Sequence, residues 1–298
     1  MSETENYGKA WEGGDKPYVA SYGKLMMWFF LITDTLTFSA FLASYGFSRF
    51  KYPDIWPSPE DVFTHFPFLH GDHPLLFVAL MTFILIMSSV TMVLAVNYGH
   101  KMQKNKVILW LSLTIVGGCM FLGSQAWEWG HFIHGDRGGI DTKTEHVVHI
   151  AEGEDLSSVY SMMGVDGHDG HHHFTVEQVI TSLQNQEQYN IRKADKKYLS
   201  NEESIKYLKK NATKVLLGAN LEDNEYGHRL FADYFFFITG FHGFHVFSGV
   251  IILLIILINV IKGTYERRGH YEMVEKVGLY WHFVDLVWVF VFTFFYLV

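Results

Sequence analysis

This chain contains little of what stabilises an ordinary soluble protein. Among its 298 residues there are one cysteine (Cys119), six prolines and only 18% charged residues. A lone cysteine excludes a disulfide within the chain, and a soluble domain usually has about 25% charged residues. The composition therefore argues against a disulfide-stabilised secreted protein and against an ordinary soluble enzyme.

Several cofactor motifs are missing as well. The sequence has no CxxCH for covalent haem, no P-loop and no GxGxxG ahead of a helix. It also lacks histidine pairs spaced as axial haem ligands on facing helices together with a copper-type set. We therefore expect this chain to have no redox centre of its own.

The sequence does contain five long apolar runs, at residues 24–47, 74–98, 107–131, 230–260 and 277–298. Each run exceeds 20 residues, and about 20 apolar residues are enough for a helix to cross a bilayer. The pattern predicts an all-α membrane protein, a bundle of five transmembrane helices with a polar external insertion between helices three and four.

The basic residues of the short loops predict the orientation, because they gather on the cytoplasmic side. Three segments on one side of the alternating chain carry them: Lys9, Lys16, Lys24, Lys101, Lys104, Lys106, Lys262, Arg267, Arg268 and Lys276. The loop 48–73 offers only Arg49 and Lys51. We expect a cytoplasmic N-terminus and an external C-terminus. The first 20 residues are polar and acidic and do not resemble a signal peptide.

The predicted parts are a cytoplasmic segment 1–23, helices one to three in 24–134, the external insertion 135–228, and helices four and five in 229–298. The insertion has 16 acidic and 10 basic residues, so it carries −6 of the chain's net charge of −8. It is poor in aliphatic residues. We therefore expect it to bury no large core and to rest on neighbouring protein.

Two amphipathic helices are predicted inside the insertion. Thr175 is placed to cap the first, whose apolar face is formed by Val176, Val179, Ile180 and Leu183. Ser200 is placed to start the second, with Ile205, Leu208, Val215 and Leu216 turned inward.

A histidine-rich stretch precedes these helices. His168, Asp169, His171, His172 and His173 are residue types that suit zinc or copper. The alternative is a solvated, flexible turn, since no second ligand pair at helical spacing accompanies the stretch.

Asp34 lies near the centre of the first apolar run. A carboxylate at that depth is costly and is expected to face protein and to have a partner. His242 and His245 in the fourth run are three residues apart and therefore share a face. An intramembrane pair between Asp34 and one of these histidines is one interpretation. In the other, each histidine bonds a backbone carbonyl or a Ser or Thr neighbour.

Other polar groups lie closer to the ends of the runs. His282 and Asp285 share a face beside the interfacial aromatic residue Trp281, and Glu128 shares a face with His131 at the external interface. Trp127 is interpreted as an interfacial anchor. We expect Trp281, His282, Asp285, Glu128 and Trp127 to be lipid-binding or interfacial residues.

Five motifs resemble subunit III of haem-copper terminal oxidases. They are FFLITDTLTFSAF, SSVTMVLA, QAWEW, TGFHGFHVFSG and YWHFVDLVWVFVF, in the order of the five helices over about 200 residues. Asp34 occupies the position of the family's central acid, often Glu in mitochondrial-type relatives. The chain resembles the five-helix bacterial form, which lacks two N-terminal helices. It departs from the family in the long insertion, because the family's connection there is normally short.

The resemblance implies a non-catalytic subunit that packs on catalytic subunit I, near subunit II, binds phospholipid and supports proton uptake. Haem and copper then belong to the partner subunits, and the membrane is the bacterial inner membrane. The family residues carried over are Asp34, His242, His245, Trp281, His282 and Asp285, with Glu128 of less defined role. No nucleic-acid partner is expected.

Three questions stay open at this level. The electron donor of the complex is cytochrome c or a quinol, and the acidic insertion favours a basic cytochrome c. The insertion 135–228 is a docking surface for cytochrome c or another respiratory complex, or a copper-handling module. A small proton or ion transporter is the alternative from another class, although inverted repeats and broken helices are missing.

Overall fold

The computed structural model describes residues 21–67, 73–144, 146–165 and 173–297. Within these residues five helices are long and apolar enough to cross a membrane. They are α1 (Tyr22–Lys51), α3 (Leu76–His100), α4 (Lys104–His134), α8 (Arg229–Ile261) and α10 (Glu272–Val291), the last continuing as a π-helical segment, Phe292–Leu297. The predicted five-helix membrane fold is confirmed. Helices α1 and α4 extend beyond their apolar runs at both ends, because polar residues continue them.

Helix α10 is at the centre of the bundle. It contacts α1, α3 and α8, and α4 closes the bundle by packing on α3 and α8. Helix α1 is peripheral. Its buried side chains are Leu31, Phe38 and Tyr45, seven residues apart, so it rests on its neighbours along one narrow stripe. The rest of its surface is turned outward.

Two short helices, α2 (Pro59–Val62) and α9 (Thr264–Arg268), lie in the connections between membrane helices. The other short helices belong to the insertion. They are α5 (Val159–Met163), α6 (Val176–Asn185) and α7 (Asn201–Asn211). The predicted caps are confirmed: Thr175 and Ser200 each form a capping box, with Gln178 and Glu203 respectively.

The insertion also contains strands, which the sequence analysis did not predict. They are β1 (Gly139–Thr142), β2 (His149–Glu152), β3 (Asp155–Leu156), β4 (Tyr189–Arg192) and β5 (Ala212–Leu216). Strand β1 pairs antiparallel with β5, while β2 lies between β3 and β4 in a second antiparallel sheet. Strands β1 and β5 lie at opposite ends of the insertion, so their pairing makes its two ends run side by side.

These elements enclose a hydrophobic core separate from that of the bundle. Its fully buried members are Ile140, Val148, Ile150, Val159, Val179, Leu183 and Ile191, with Met162 and Leu208 almost fully buried. The insertion, expected to bury no large core, therefore has a small core of its own. That it also rests on neighbouring protein stays a prediction. Single apolar residues from many short elements converge here, and none of those elements contains a long apolar run. We call residues 139–216 the external domain.

Glu225 joins the external domain to the bundle. Its carboxylate accepts backbone N–H bonds from Asp136 (2.9 Å), Arg137 (3.3 Å) and Gly218. These three residues lie where the chain enters and leaves the external domain. Burial raises the pKa of Glu225, although the three backbone donors oppose that shift. One side chain thus ties both ends of the insertion together.

Two arginines add a second connection, to the loop after α1. Arg192 Nη2 lies 2.9 Å from the Asp61 carboxylate, and Arg137 Nη1 donates to the Asp61 carbonyl at 3.3 Å. His149 Nε2 donates to the carbonyl of Glu225 at 2.9 Å. Burial, reinforced by the nearby Arg192, lowers the pKa of His149 to about 4.

Candidate functional site within the membrane bundle

Asp34 and His245 meet in the middle of the bundle. The Asp34 carboxylate oxygen Oδ2 lies 2.9 Å from His245 Nε2, and both side chains are largely buried, 15% and 9% exposed. The contact joins α1 to α8. The two atoms are not aligned for a regular hydrogen bond, so this is a short but oblique polar contact.

The other ring nitrogen of His245 bonds its own helix. His245 Nδ1 lies 2.8 Å from the Phe241 carbonyl, which can only accept. Nδ1 therefore carries a hydrogen, and Nε2 is the nitrogen that faces the Asp34 carboxyl group. The contact thus joins an imidazole fixed on α8 to a carboxyl group on α1.

His242 does not contact Asp34. Its Nε2 donates to the Val284 carbonyl of α10 at 3.1 Å, and its ring packs between Phe121 and Trp288. The residue is fully buried. The backbone-carbonyl interpretation therefore describes His242, and its role is to join α8 to α10.

A row of polar contacts joins α10 to α3. Trp281 Nε1 donates to Ser88 Oγ at 3.1 Å, and His282 Nδ1 lies 2.7 Å from Ser89 Oγ. Asp285 follows one turn further along α10 and lies on the same face as His282. The Ser89 hydroxyl is therefore the partner of His282, and the Asp285 oxygen Oδ1 is buried without a hydrogen bond. Ser88 and Ser89 belong to the SSVTMVLA motif, which explains why this apolar helix contains hydroxyl groups.

Glu128 lies at the other end of the bundle, on α4. Its carboxyl group contacts the Tyr296 hydroxyl at 3.2 and 3.3 Å and accepts a bond from Gln125 Nε2 at 3.1 Å. Only 5% of Glu128 is exposed. The partners are neutral, so Glu128 anchors the π-helical end of α10 to α4 without forming an ion pair.

Comparison with known proteins bears on these contacts. The family profile of cytochrome c oxidase subunit III matches residues 222–298. A probable cytochrome c oxidase subunit 3 from Rickettsia conorii is 41% identical over 98 residues, which is 29% of this chain and 34% of that protein. Cytochrome c oxidase subunit 3 from Thermostichus vulcanus is 39% identical over 88 residues, and that from Synechocystis 46% over 69.

The predicted resemblance to cytochrome c oxidase subunit III is confirmed over residues 222–298, where the family profile matches. The chain spans 34%, 39% and 29% of the length of the three relatives named. The alignment to the Thermostichus protein covers 28% of this chain, and that to the Synechocystis protein 23%.

The subunit III profile covers only some of the candidate residues. His242, His245, Trp281, His282 and Asp285 lie inside residues 222–298, and Asp34 and Glu128 lie outside. Each of the two outside residues contacts a residue inside the matched region: Asp34 contacts His245, and Glu128 contacts Tyr296. The functional roles of these residues stay predictions.

Trp281, predicted to be lipid-binding or interfacial, is packed inside the protein. Only 1% of this side chain is exposed, and its ring packs directly on Gly118 of α4 and Gly249 of α8. The reason is that α10 begins at Glu272, five residues before the apolar run. His282 therefore lies about 15 Å along the helix rather than near its end.

Trp127 contacts Phe77 and His131 and is only partly exposed. The neighbouring Trp129 donates to Thr239 on α8 at 3.0 Å, so it joins two helices. Of the histidine-rich stretch, His168, His171 and His172 lie outside the described residues, and His173 lies inside them. Across the described part of the chain, no three metal-ligating side chains are already arranged to hold a metal ion.

Sequence reasoning missed Ser88, Ser89, Gln125 and Tyr296, which supply the partners of the predicted polar residues. Their signal was present, because a hydroxyl or amide within an apolar run also needs a partner in a membrane. That signal is weaker than the signal of a charged or imidazole group, because a hydroxyl or amide is less costly in an apolar run.

Proposed function

We propose that this chain is the non-catalytic subunit III of a cytochrome c oxidase in a bacterial inner membrane, holding catalytic subunit I and lying near subunit II. The observation that supports it best is the match over residues 222–298, which includes both histidines of α8 and the His282–Asp285 pair of α10. Several relatives are named cytochrome c oxidase subunit 3. That naming favours cytochrome c over quinol as the electron donor and makes the transporter alternative less favoured.

In this proposal haem and copper belong to the partner subunits, and this chain supports proton uptake and turnover. The contact between Asp34 and His245 is the pair of groups most directly suited to that support. Phospholipid occupies the grooves beside α1, because this helix is peripheral and its buried side chains are confined to one stripe, Leu31, Phe38 and Tyr45. Acyl chains are the natural filling for the apolar surface on either side.

A tag on this chain provides the test. Material purified through the tag from the native membrane is expected to contain haem in stoichiometric amounts, together with two larger oxidase subunits. The same chain expressed without the other subunits is expected to contain none. Stoichiometric haem in the isolated chain would refute the proposed non-catalytic role.

The external domain is proposed to be a docking surface for a basic cytochrome or a neighbouring respiratory complex. Its support is its net negative charge, since its apolar faces are covered by its own core. The structure offers a clean deletion. The Lys143 N–H bonds the Asn211 carbonyl at 2.9 Å, so residues 144–210 can be replaced by an Asn-Gly turn that keeps β1 paired with β5.

Oxidase assembly and haem content are expected to survive this deletion. Donor affinity at low salt, or the yield of the larger complex, is expected to fall. Unchanged affinity and yield would contradict docking, and a collapse of oxidase assembly would make the domain a structural part of the subunit.

A further inference from the structure

A cavity of about 410 Å³ opens at the external end of α4, outside the polar contacts described above. Three histidines and one aspartate line it: His65 from the loop after α2, His131 and His134 from the last turn of α4, and Asp136 from the entry to the insertion. Trp127 and two glycines complete the wall. Imidazole and carboxylate groups gathered in one open cavity are the donors that zinc prefers.

The ring nitrogens of the two helical histidines are oriented as metal ligands require. His131 Nδ1 lies 3.2 Å from the Trp127 carbonyl, and His134 Nδ1 lies 2.6 Å from the Gly130 carbonyl. A carbonyl only accepts, so each Nδ1 carries the hydrogen. In the neutral ring, Nε2 then presents a lone pair. Metal-bound histidines are fixed in the same way, with the second nitrogen donating to a carbonyl or carboxylate.

The carboxylate is also oriented by a neighbour. His65 Nδ1 lies 3.1 Å from Asp136 Oδ2, and the His65 ring is 5.7 Å from the His131 ring between centroids. Asp136 and His131 therefore both lie beside His65 and line the same cavity. His65 positions it from outside, as the outer-shell partner of a ligating carboxylate does. Two imidazoles and one carboxylate with an open fourth position form a common zinc ligand set.

We propose that this cavity binds one zinc-type divalent ion through His131 Nε2, His134 Nε2 and the Asp136 carboxylate, with water in the fourth position. The three groups do not converge on one point, so binding requires their side chains to rotate into the open cavity that they line. Since Asp136 begins the insertion and the two histidines end α4, the bound ion would stabilise their junction.

The test uses the full-length chain, purified without a polyhistidine tag together with whatever subunits accompany it. His168, His171, His172 and His173 are first changed to Asn, so that the histidine-rich stretch contributes no binding. After treatment with a chelator, Zn²⁺ alone is titrated by calorimetry and bound metal is counted by mass spectrometry. One ion per chain is expected, together with a rise in melting temperature.

Changing both His131→Gln and His134→Gln is expected to abolish this binding. His65→Gln is expected to weaken affinity by about 10- to 100-fold while one site remains, since it removes only an outer-shell partner. The control is His100→Gln, an exposed histidine at the end of α3, which should change nothing. If the double variant unfolds, Asp136→Asn replaces it, with a similarly large loss expected. No ion in the parent protein, or undiminished affinity in these variants, overturns the proposal.

Discussion

The membrane bundle and the external domain place their apolar and polar side chains in opposite ways. The bundle turns apolar side chains outward, such as Leu36 and Phe47 of α1, and places its polar contacts between helices. The external domain turns charge outward and places Val148, Ile150 and Ile191 inside. In water the hydrophobic effect assembles the domain. Between membrane helices that force is missing, and close packing and polar contacts assemble the bundle.

This difference predicts where each region is vulnerable. The stability of the external domain should depend on the backbone at its junction with the bundle. It should also depend on pH, because water reaches this domain. The bundle should respond to changes in volume at helix contacts, and only weakly to the loss of a single polar contact.

The largest effect is expected at the junction, for Gly218→Ala. Gly218 has φ +77°, and an added Cβ would lie 2.0 Å from the Ile133 carbonyl oxygen. The control is Gly153→Ala, with a similar φ of +66° but open space around it. The control should cost about 1–2 kcal/mol and Gly218→Ala about 4 kcal/mol or more. Hydrogen exchange of residues 139–216 measures both, and equal protection in the two variants would contradict the described junction.

Acidification should destabilise the external domain through His149. Its folded pKa of about 4 lies below the ordinary value near 6.5. Stability from the neutral ring is therefore complete above pH 6.5 and is lost as the pH falls towards 4. The loss amounts to about 3 kcal/mol. Glu225, whose pKa is raised, acts in the opposite direction, and Arg137, Arg192 and Asp61 also face the ring.

The histidine contribution is isolated by comparing the intact protein with His149→Gln, which keeps a donor for the Glu225 carbonyl but cannot titrate. Proteolysis of the external domain is followed between pH 7 and pH 4. The variant should lose the acid sensitivity, whereas His146→Gln should keep it. An equal pH dependence in both variants would rule out His149 as the cause.

Within the bundle, Gly118→Ala is expected to cost about 1–3 kcal/mol by overpacking. An added Cβ would lie 2.6 Å from the Trp281 ring and 2.8 Å from Val250. Gly123→Ala on the same helix has nothing within 4 Å and should be neutral or slightly stabilising, since Ala favours helix. Thermal unfolding in detergent measures both. The external domain should keep its own protection in each, and matching melting temperatures would argue against the described α4–α10 contact.

The smallest effect is expected for Asp34 and His245. Polar contacts between membrane helices average about 0.6 kcal/mol, and this one is oblique. A double-mutant cycle of Asp34→Asn with His245→Gln should give a coupling of that size. The same cycle with His242→Gln should give none, because His242 bonds the Val284 carbonyl instead. If the effects of the two substitutions in the first cycle are additive, Asp34 and His245 do not interact.

The bundle could be predicted from sequence because each of its helices is signalled by a continuous run of the required length. The capping residues Thr175 and Ser200 were predictable for a similar reason, since a helix start is a local signal. The strands were not predictable in this way. Pairing β1 with β5 brings Ile140 beside Val215 across most of the insertion, and no local pattern records such a contact.

In the candidate site, too, the single residues could be predicted from the sequence but their contacts could not. Asp34 and the two histidines of α8 were recognisable one by one because polar groups stand out in apolar runs. Which histidine meets Asp34 depends on the rotation and depth of two helices, which residue spacing leaves open. Trp281 illustrates the limit: its position in the helix depended on where α10 begins, and the polar start at Glu272 gave no apolar signal.

The length of the insertion between α4 and α8 has a consequence for how the protein is inserted into the membrane. Helices α4 and α8 pack closely, with Phe132 and Phe235 rings 4.3 Å apart, yet residues 135–228 separate them in the chain. At a synthesis rate of about 5–20 residues per second, α4 waits roughly 5–20 s before α8 emerges. During that interval Trp129 lacks its partner Thr239 of α8, while Glu128 keeps Gln125 and lacks only Tyr296, which follows α10. We therefore expect α4 to dock on α3, its other neighbour, before α8 arrives.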